Sequence, residues 1–318
     1  VFALLAGTAT TFSLATPLLS MAISHVFHIP ASNLLTIGLL AIIGITYTIA
    51  VYFGMKGVSK LASSCTYLFF ALLLYVLIGG GKARYTIETG ITAIGNLTQN
   101  FIGLCTWTDA LRTSSFPQTW TIYYWAYWMV WCVAAPFFIG NISRGRTVRQ
   151  TILGGYGFGV GSTIVSFIVL GNYSMGLQTS GRADFIAQYL QDGDLYGMIV
   201  SILRTLPCAP VIMVVVLITM VAFYATSFDS IALTASCYSY HGLAEGEQPH
   251  KGIQLLWCIL LILLPIALLF AESSMNSLQS VSIVAAFPIG IVIVMIAGSF
   301  LKDGKAYLAE LARKEQKS

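Results

Sequence analysis

The first 55 residues of the chain contain no lysine, arginine, aspartate or glutamate. A helix of about 20 apolar residues crosses the hydrocarbon core of a bilayer, and in lipid only helices and closed barrels pair all their backbone polar groups. The alternating pattern of barrel strands does not compete with the helical interpretation here. Of the 318 residues only 9% are charged, against roughly 25% in a soluble domain. The sequence therefore predicts an all-α integral membrane protein.

Charge-free apolar runs predict eight membrane spans. They lie near residues 1–26, 34–53, 61–79, 120–142, 151–172, 208–238, 253–271 and 278–300. Residues 85–118 and 182–206 carry apolar groups at helical spacing, which predicts amphipathic helices at the outer interface. The chain begins inside an apolar run without a charged flank, so we expect it to continue a longer protein.

Basic residues indicate the orientation of the spans. If the first span runs outward from the cytoplasm, eleven of the 16 lysines and arginines fall on the inner side, including those of SRGRTVR at 143–149. Inner loops of membrane proteins are enriched in basic residues. We therefore expect a multi-pass protein of the cell membrane with both ends of this chain in the cytoplasm.

Several functional classes find no support in the sequence. The six cysteines show no close pairing, so neither a disulfide framework nor a metal site is predicted. The net charge of +4 is spread over loops and tail, which argues against nucleic-acid binding. No nucleophile–base set suggests an enzyme. The glycines of GGYGFGVGS (154–162) lie within a span with no preceding strand, and indicate close helix packing rather than a nucleotide loop.

The segment WTIYYWAYWMVW, residues 120–131, is the densest aromatic stretch in the chain. At 100° per residue, Tyr123 and Trp125 point away from the other rings and are expected to pack or anchor. One helix face would carry Trp120, Tyr124, Tyr127, Trp128 and Trp131. Such a stripe is either an interfacial belt or core packing, or a binding surface.

The depth and chemistry of the stripe favour binding. Trp128 and Trp131 lie well inside the span, where a belt would have given way to aliphatic residues. Several indole faces attract a cation that hydrogen bonds poorly, such as a quaternary ammonium group. A lysine or arginine substrate would require a carboxylate, and this span has none.

WTIYYWAYWMVW, followed by FFIGNISRGRTVRQ, resembles the signature segment of the betaine/carnitine/choline transporter family. Further segments extend the resemblance along the chain: GTATTFSLATPL at 7–18, GMKGVSKLAS at 54–63 and FYATSFDS at 223–230. The resemblance implies two inverted five-helix repeats with the substrate near the bilayer midplane. It also implies twelve spans, of which this chain supplies the fifth to the twelfth.

The resemblance divides the chain, as a single transporter domain of residues 1–318, into four parts. They are the last three helices of the first repeat (1–84), an amphipathic connecting helix (85–118), the second repeat (119–300) and a cytoplasmic tail (301–318). Two core helices are then expected outside this chain, one glycine-rich and one with further aromatics of the substrate box. Family members are homotrimers that contact one another partly through the connecting helix.

Carried over by position, Tyr127, Trp128 and Trp131 match aromatics of the family's substrate box. Trp120 matches an outer aromatic of the carnitine exchangers. Position 127 is usually tryptophan in the family, and a phenol is a weaker cation–π partner that adds a hydroxyl. The resemblance thus implies a secondary active transporter of trimethylammonium compounds such as glycine betaine, choline or carnitine.

Sodium is the coupling ion that the resemblance favours, and no other cofactor is expected. Oxygen atoms suit a hard cation, and four positions match the sodium-binding positions of sodium-coupled members: Phe223, Thr226, Ser227 and, less directly, Thr8. Sodium-independent exchangers place arginine at Cys65 and methionine at Ala135, and neither occurs here. The role of Asp229 stays open. The alternatives are a sodium-independent exchanger of the carnitine type and a non-transporting sensor or scaffold with the same fold.

Overall fold

The computed structural model describes residues 2–52, 57–133, 135–143, 145–242, 249–270 and 275–316, apart from some side chains within helices. All regular elements in these ranges are helical. They are α1 (Phe2–Phe27), α2 (Asn33–Tyr52), α3 (Gly57–Gly79), α4 (Ala83–Gln99), α5 (Phe101–Thr106), α6 (Ile122–Trp131), α7 (Ala135–Ile142), α8 (Val148–Gly154), α9 (Gly161–Thr179), α10 (Phe185–Asp192), α11 (Leu195–Arg204), α12 (Ala209–Cys237), α13 (Lys251–Phe270) and α14 (Met275–Glu315). Short π-helical turns, Pro117–Thr121 and Gly155–Val160, precede α6 and α9.

The apolar runs form long helices, as an all-α membrane protein requires. Four helices of the described residues are long and apolar enough to cross a membrane: Phe2–Phe27, Val148–Thr179, Lys251–Leu268 and Gln279–Lys314. A fifth is counted if α3 and α4, which meet at 113°, form one bent span. Shorter apolar stretches occur in α2 and α12. The all-α membrane class predicted from the sequence is confirmed.

The prediction of one uninterrupted span at 120–142 is wrong, because α6 ends at Trp131 and α7 begins at Ala135. Pro136 has no N–H to donate to the carbonyl of Cys132, four residues earlier, and its ring crowds that carbonyl. The last turn of α6 tightens accordingly. The N–H of Cys132 bonds to the carbonyls of both Trp128 and Met129, at 3.2 and 3.1 Å.

Helix α1 lies at the centre of the packing. One side of it contacts α2, α12 and α13, where the ring of Phe12 stacks on Phe228 with centroids 3.9 Å apart. Its other side contacts α6 and α14, where the hydroxyl of Ser282 donates to Thr10 at 2.8 Å. The buried threonine hydroxyls of α1 also bond back to their own helix, which keeps these polar groups paired inside the apolar core.

The two amphipathic segments differ from single helices. Residues 85–118 form α4 and α5 and leave helical geometry at Trp107, before the π-helical turn. Helix α4 crosses α9 closely, since a Cβ on Gly90 would lie 2.5 Å from the side chain of Ile168. Residues 182–206 form the two short helices α10 and α11, joined through Gly193 at φ +63°.

The glycines of GGYGFGVGS do not mediate close helix packing within the described part of the chain. A Cβ on Gly155, Gly157 or Gly159 would meet no atom within 4 Å. The neighbouring Phe158 side chain is 85% exposed. The interpretation of these glycines as packing residues is therefore wrong for contacts among the described residues.

Candidate functional site

The aromatic segment divides according to the neighbours of α6. Tyr123, Ala126 and Val130 form the buried face, packed toward α1 and α14. Tyr127 and Trp131 flank this face and are half-buried. The remaining rings of the segment are more exposed: Trp120, Tyr124, Trp125 and Trp128. The single aromatic face expected from helical projection is thus partly covered by packing and partly open.

Tyr127, Trp128 and Trp131 come together as a corner of three rings. The ring of Tyr127 stands nearly perpendicular to that of Trp128, at 81° with centroids 5.9 Å apart. It meets the ring of Trp131 at 71° and 6.1 Å. Both contacts are edge-to-face, so the planes of the three rings point in different directions, and π faces turned different ways are what recognition of a methylated cation uses. We refer to these three residues as the aromatic corner.

Gly7 in α1 supports the aromatic corner from behind. A Cβ at this position would lie 2.7 Å from Cγ1 of Val130 and 3.5 Å from Cε2 of Trp131. Glycine therefore lets α1 and α6 approach closely. The indole of Trp131 owes its position to this approach.

Thr11, one turn beyond Gly7, binds the aromatic corner directly. Its hydroxyl donates to the carbonyl of Gly7 at 2.7 Å and lies 2.8 Å from the hydroxyl of Tyr127. This contact fixes the tilt of the Tyr127 ring. Sequence reasoning missed Thr11, although its place in GTATT beside an aromatic helix is a usable signal.

Trp120 does not join the aromatic corner. It belongs to the π-helical turn before α6 and lines a separate concavity of about 450 Å³ with Phe116, Thr121, Tyr124 and Trp125. A π-helical turn departs from 100° per residue, so the projection of Trp120 onto the face of Tyr127 does not hold. Trp125 also borders an apolar groove of about 610 Å³ between α6 and α14.

The sodium candidates lie in two different places. Thr8 is fully buried in α1 and its hydroxyl donates to the carbonyl of Leu4 at 2.7 Å. Phe223 and Ser227 lie four residues apart on an exposed side of α12, whereas Tyr224 and Phe228 face the core. The side chains of Thr226 and Asp229 lie outside the described residues. None of the hydrogen bonds or ring contacts found among the described residues joins Thr8 to the α12 pair.

Comparison with known proteins identifies the family of the chain. The model of the BCCT, or betaine/carnitine/choline transporter, family matches residues 1–308. The chain belongs to this family. An uncharacterised transporter of Escherichia coli K12, YeaV, is 28% identical over 259 residues, which are 80% of this chain and 53% of that protein. A carnitine transporter of Acinetobacter baumannii is 26% identical over 278 residues, 86% of this chain and 50% of that protein. The chain spans about half the length of these curated relatives.

As a BCCT family member, the chain is a multi-pass membrane protein of a transporter family rather than an enzyme family. The family resemblance also bears on the contact between α3 and α12, which we call the seam. The buried thiol of Cys65 donates to the carbonyl of Thr219 at 3.3 Å. Phe69 on the same helix meets the ring of Phe223 edge-on, with centroids 6.2 Å apart. Cys65, which the resemblance matches to an arginine of sodium-independent exchangers, therefore lies one helical turn from the contact with Phe223.

A compact turn at residues 107–116 connects the amphipathic helices to the aromatic segment. The carboxylate of Asp109 accepts hydrogen bonds from the backbone N–H groups of Thr113, Ser114 and Ser115, at 2.9 to 3.0 Å. It also accepts from the hydroxyls of Thr113 and Ser114. The bonds from Ser114 and Thr113 hold the pKa of Asp109 below its ordinary value.

Sequence reasoning missed Asp109 as well, because it assigned residues 85–118 to a helix. The signal was present as an aspartate followed four to six residues later by Thr-Ser-Ser, a pattern in which the side chain caps a turn. The turn directly precedes the π-helical segment, and its geometry therefore determines where α6 begins.

Proposed function

We propose that this chain forms part of a secondary active transporter of quaternary, trimethylated ammonium compounds. The aromatic corner is the observation that carries the proposal. The ring of Tyr127 meets those of Trp128 and Trp131 at steep angles on α6, and the most open of the three, Trp128, is 61% exposed. A trimethylammonium group cannot donate a conventional hydrogen bond, so π faces are its natural partners.

The magnitude of cation–π contacts suits a transported substrate. Each desolvated contact contributes roughly 0.5 to 2 kcal/mol, so three faces contribute a few kcal/mol. A transporter needs binding that is selective yet reversible, and that range permits release. The name of the A. baumannii relative supports carnitine, alongside choline and glycine betaine, as a substrate to test.

We further propose that sodium is co-transported. Phe223 and Ser227 share a side of α12, where backbone and hydroxyl oxygens suit a hard cation. At the neighbouring seam Cys65 is neutral where exchangers carry arginine. A fixed guanidinium in this place would supply the positive charge without sodium. In this proposal Thr8 supplies a hydroxyl oxygen to a second, separate sodium site.

The membrane arrangement in this proposal has both ends of the chain in the cytoplasm and three copies in the assembly. Helices α4 and α5 support the trimer through an exposed apolar side that includes Ile87, Ile91 and Ile102. Native mass spectrometry of the full-length protein in detergent tests the assembly. A trimer is the expected mass, and a stable monomer would contradict this part of the proposal.

Uptake by proteoliposomes containing the full-length protein tests the function. Radiolabelled choline, L-carnitine and glycine betaine are each supplied with and without an inward sodium gradient. We expect accumulation of at least one compound that depends on sodium. Sodium-independent exchange of internal for external substrate would instead identify an exchanger, and no movement of any compound would favour a sensor or scaffold.

A further inference from the structure

The hydrogen bond between Tyr127 and Thr11 has a defined direction. A threonine hydroxyl carries one hydrogen, and that of Thr11 is donated to the carbonyl of Gly7 at 2.7 Å. A carbonyl cannot donate in return. Thr11 can make both hydrogen bonds at once only when Tyr127 donates and the Thr11 oxygen accepts in the 2.8 Å contact between the two hydroxyls, and we infer this direction.

This direction leaves the phenolic oxygen of Tyr127 as an acceptor. Its hydroxyl hydrogen is donated to Thr11, and a lone pair in the plane of the ring can accept a further hydrogen bond. The Tyr127 side chain as a whole is half-buried rather than fully buried. Tryptophan, the usual residue of the family at this position, offers an indole N–H donor and no acceptor.

Given the proposed function, on which this inference rests, we propose that Tyr127 determines specificity. It favours trimethylammonium substrates that carry a hydroxyl group over analogues that lack one. In choline and in carnitine alike, the hydroxyl lies on the second carbon from the ammonium nitrogen. A cation held against Trp128 and Trp131 thus brings its hydroxyl close to the Tyr127 oxygen.

The expected selectivity follows from the strength of one hydrogen bond. A neutral hydrogen bond contributes a net 0.5 to 1.5 kcal/mol, so its removal weakens affinity about twofold to tenfold. Sites built to bind a substrate hydroxyl discriminate strongly against analogues without it, because their polar group is left unpaired. The cation–π term is the same for both members of a pair that differs only in the hydroxyl.

Competition for uptake by the full-length protein tests the inference with two matched pairs. L-Carnitine is compared with γ-butyrobetaine, and choline with propyltrimethylammonium, as inhibitors of whichever labelled substrate the wild type accumulates. The variants are Tyr127→Phe and Tyr127→Trp. We expect Tyr127→Phe to weaken inhibition by the hydroxylated compounds about twofold to tenfold, and that by their partners less than twofold. Tyr127→Trp strengthens the cation–π contact for both members of a pair, and should reduce the preference within each pair by the same factor.

Tyr189→Phe is the matched control, because this exposed tyrosine lies on α10, away from the aromatic segment. It should leave all four inhibition constants unchanged. Equal shifts for both members of each pair in the Tyr127 variants would overturn the inference, as would a wild type without preference for the hydroxylated members. In each of these cases the wild type still transports a trimethylammonium compound, so the proposed function survives. Failure of the wild type to transport or bind any such compound overturns both.

Discussion

Trp128 and Trp131 lie three residues apart on α6, yet different contacts hold them. The indole of Trp131 is half-buried against α1 and packs on the central hydrophobic core. Trp128 is 61% exposed, and its ring contact with Tyr127 is perpendicular. Trp131 therefore contributes to the packing of the fold as well as to the aromatic corner, whereas Trp128 mainly presents an exposed ring face.

Alanine substitutions should separate these two roles. We expect Trp128→Ala to weaken competition by choline about threefold to thirtyfold, the range of a lost cation–π contact, with little change in thermal unfolding of the detergent-solubilised full-length protein. Trp131→Ala should weaken competition and also lower stability on the order of 2 kcal/mol, because it opens a cavity beside α1. Equal thermal shifts for the two variants would contradict this division.

Ring density and the absence of a carboxylate pointed to a stripe of five rings in the aromatic segment, and only the family resemblance singled out Tyr127, Trp128 and Trp131. The ring of Tyr127 contacts both tryptophans, and the role of the three residues in binding stays a prediction. Which rings would be covered could not be predicted. That depends on which side of α6 lies against α1 and α14, and a helical projection contains no information about neighbours.

At the scale of elements, the approach to α6 is set by the turn around Asp109. Its carboxylate accepts three backbone N–H groups within the turn. The turn also contains residues in the left-handed region, with φ of 46° at Asp109 and 54° at Ser115. Such conformations are unfavourable for non-glycine residues, so the hydrogen bonds to the carboxylate hold the turn together.

Asp109→Asn should loosen this turn, because an amide has one acceptor oxygen where the carboxylate has two. We expect faster hydrogen exchange of residues 107–121 in the variant, measured by mass spectrometry. Asp192→Asn, at the exposed end of α10, is the control and should leave this peptide unchanged. Unaltered exchange in Asp109→Asn would refute the anchoring role.

The pH dependence follows from the lowered pKa of Asp109. A carboxyl whose folded pKa is depressed stabilises the fold above its unfolded pKa, about 3.9, and loses that contribution as pH falls through the folded value. Protection of the turn, after correction for intrinsic exchange, should therefore be constant between pH 5 and 8. A decrease within that interval would contradict the direction of the shift.

Breaks within elements were harder to predict than the elements themselves. The charge-free runs were sufficient to place the long helices, because burial in lipid favours a continuous hydrogen-bonded helix. The end of α6 at Trp131 and the π-helical turn at Pro117–Thr121 depend on local backbone geometry. Pro136 was the sequence signal for the end of α6, and its missing N–H is sufficient reason for the break.

At the scale of the whole molecule, the seam between α3 and α12 is where coupling can be tested. Cys65→Arg would place a guanidinium next to Thr219, one turn from Phe223. We expect uptake by this variant to lose its dependence on sodium. Cys105→Arg, which adds the same charge at an exposed cysteine of α5, serves as the control and should keep it.

Sodium affinity offers an independent measurement of the same claim. Ser227→Ala should raise the sodium concentration needed for half-maximal uptake. Ser236→Ala on the same helix, whose buried hydroxyl donates to the carbonyl of Ala232 at 2.6 Å, should not. Uptake that is sodium-dependent in the wild type and equally so in Cys65→Arg and Ser227→Ala would contradict the assignment of the ion to this part of α12.

Recognition of a positive charge by aromatic faces is the central claim, and a neutral isostere tests it most directly. Choline and 3,3-dimethylbutan-1-ol share size, shape and hydroxyl group, but carbon replaces the charged nitrogen in the second. Both are compared as inhibitors of uptake by the full-length protein in proteoliposomes. We predict that choline inhibits at least about tenfold more strongly, since contacts of 0.5 to 2 kcal/mol with three rings depend on the charge. Equal inhibition by the two compounds would contradict the account.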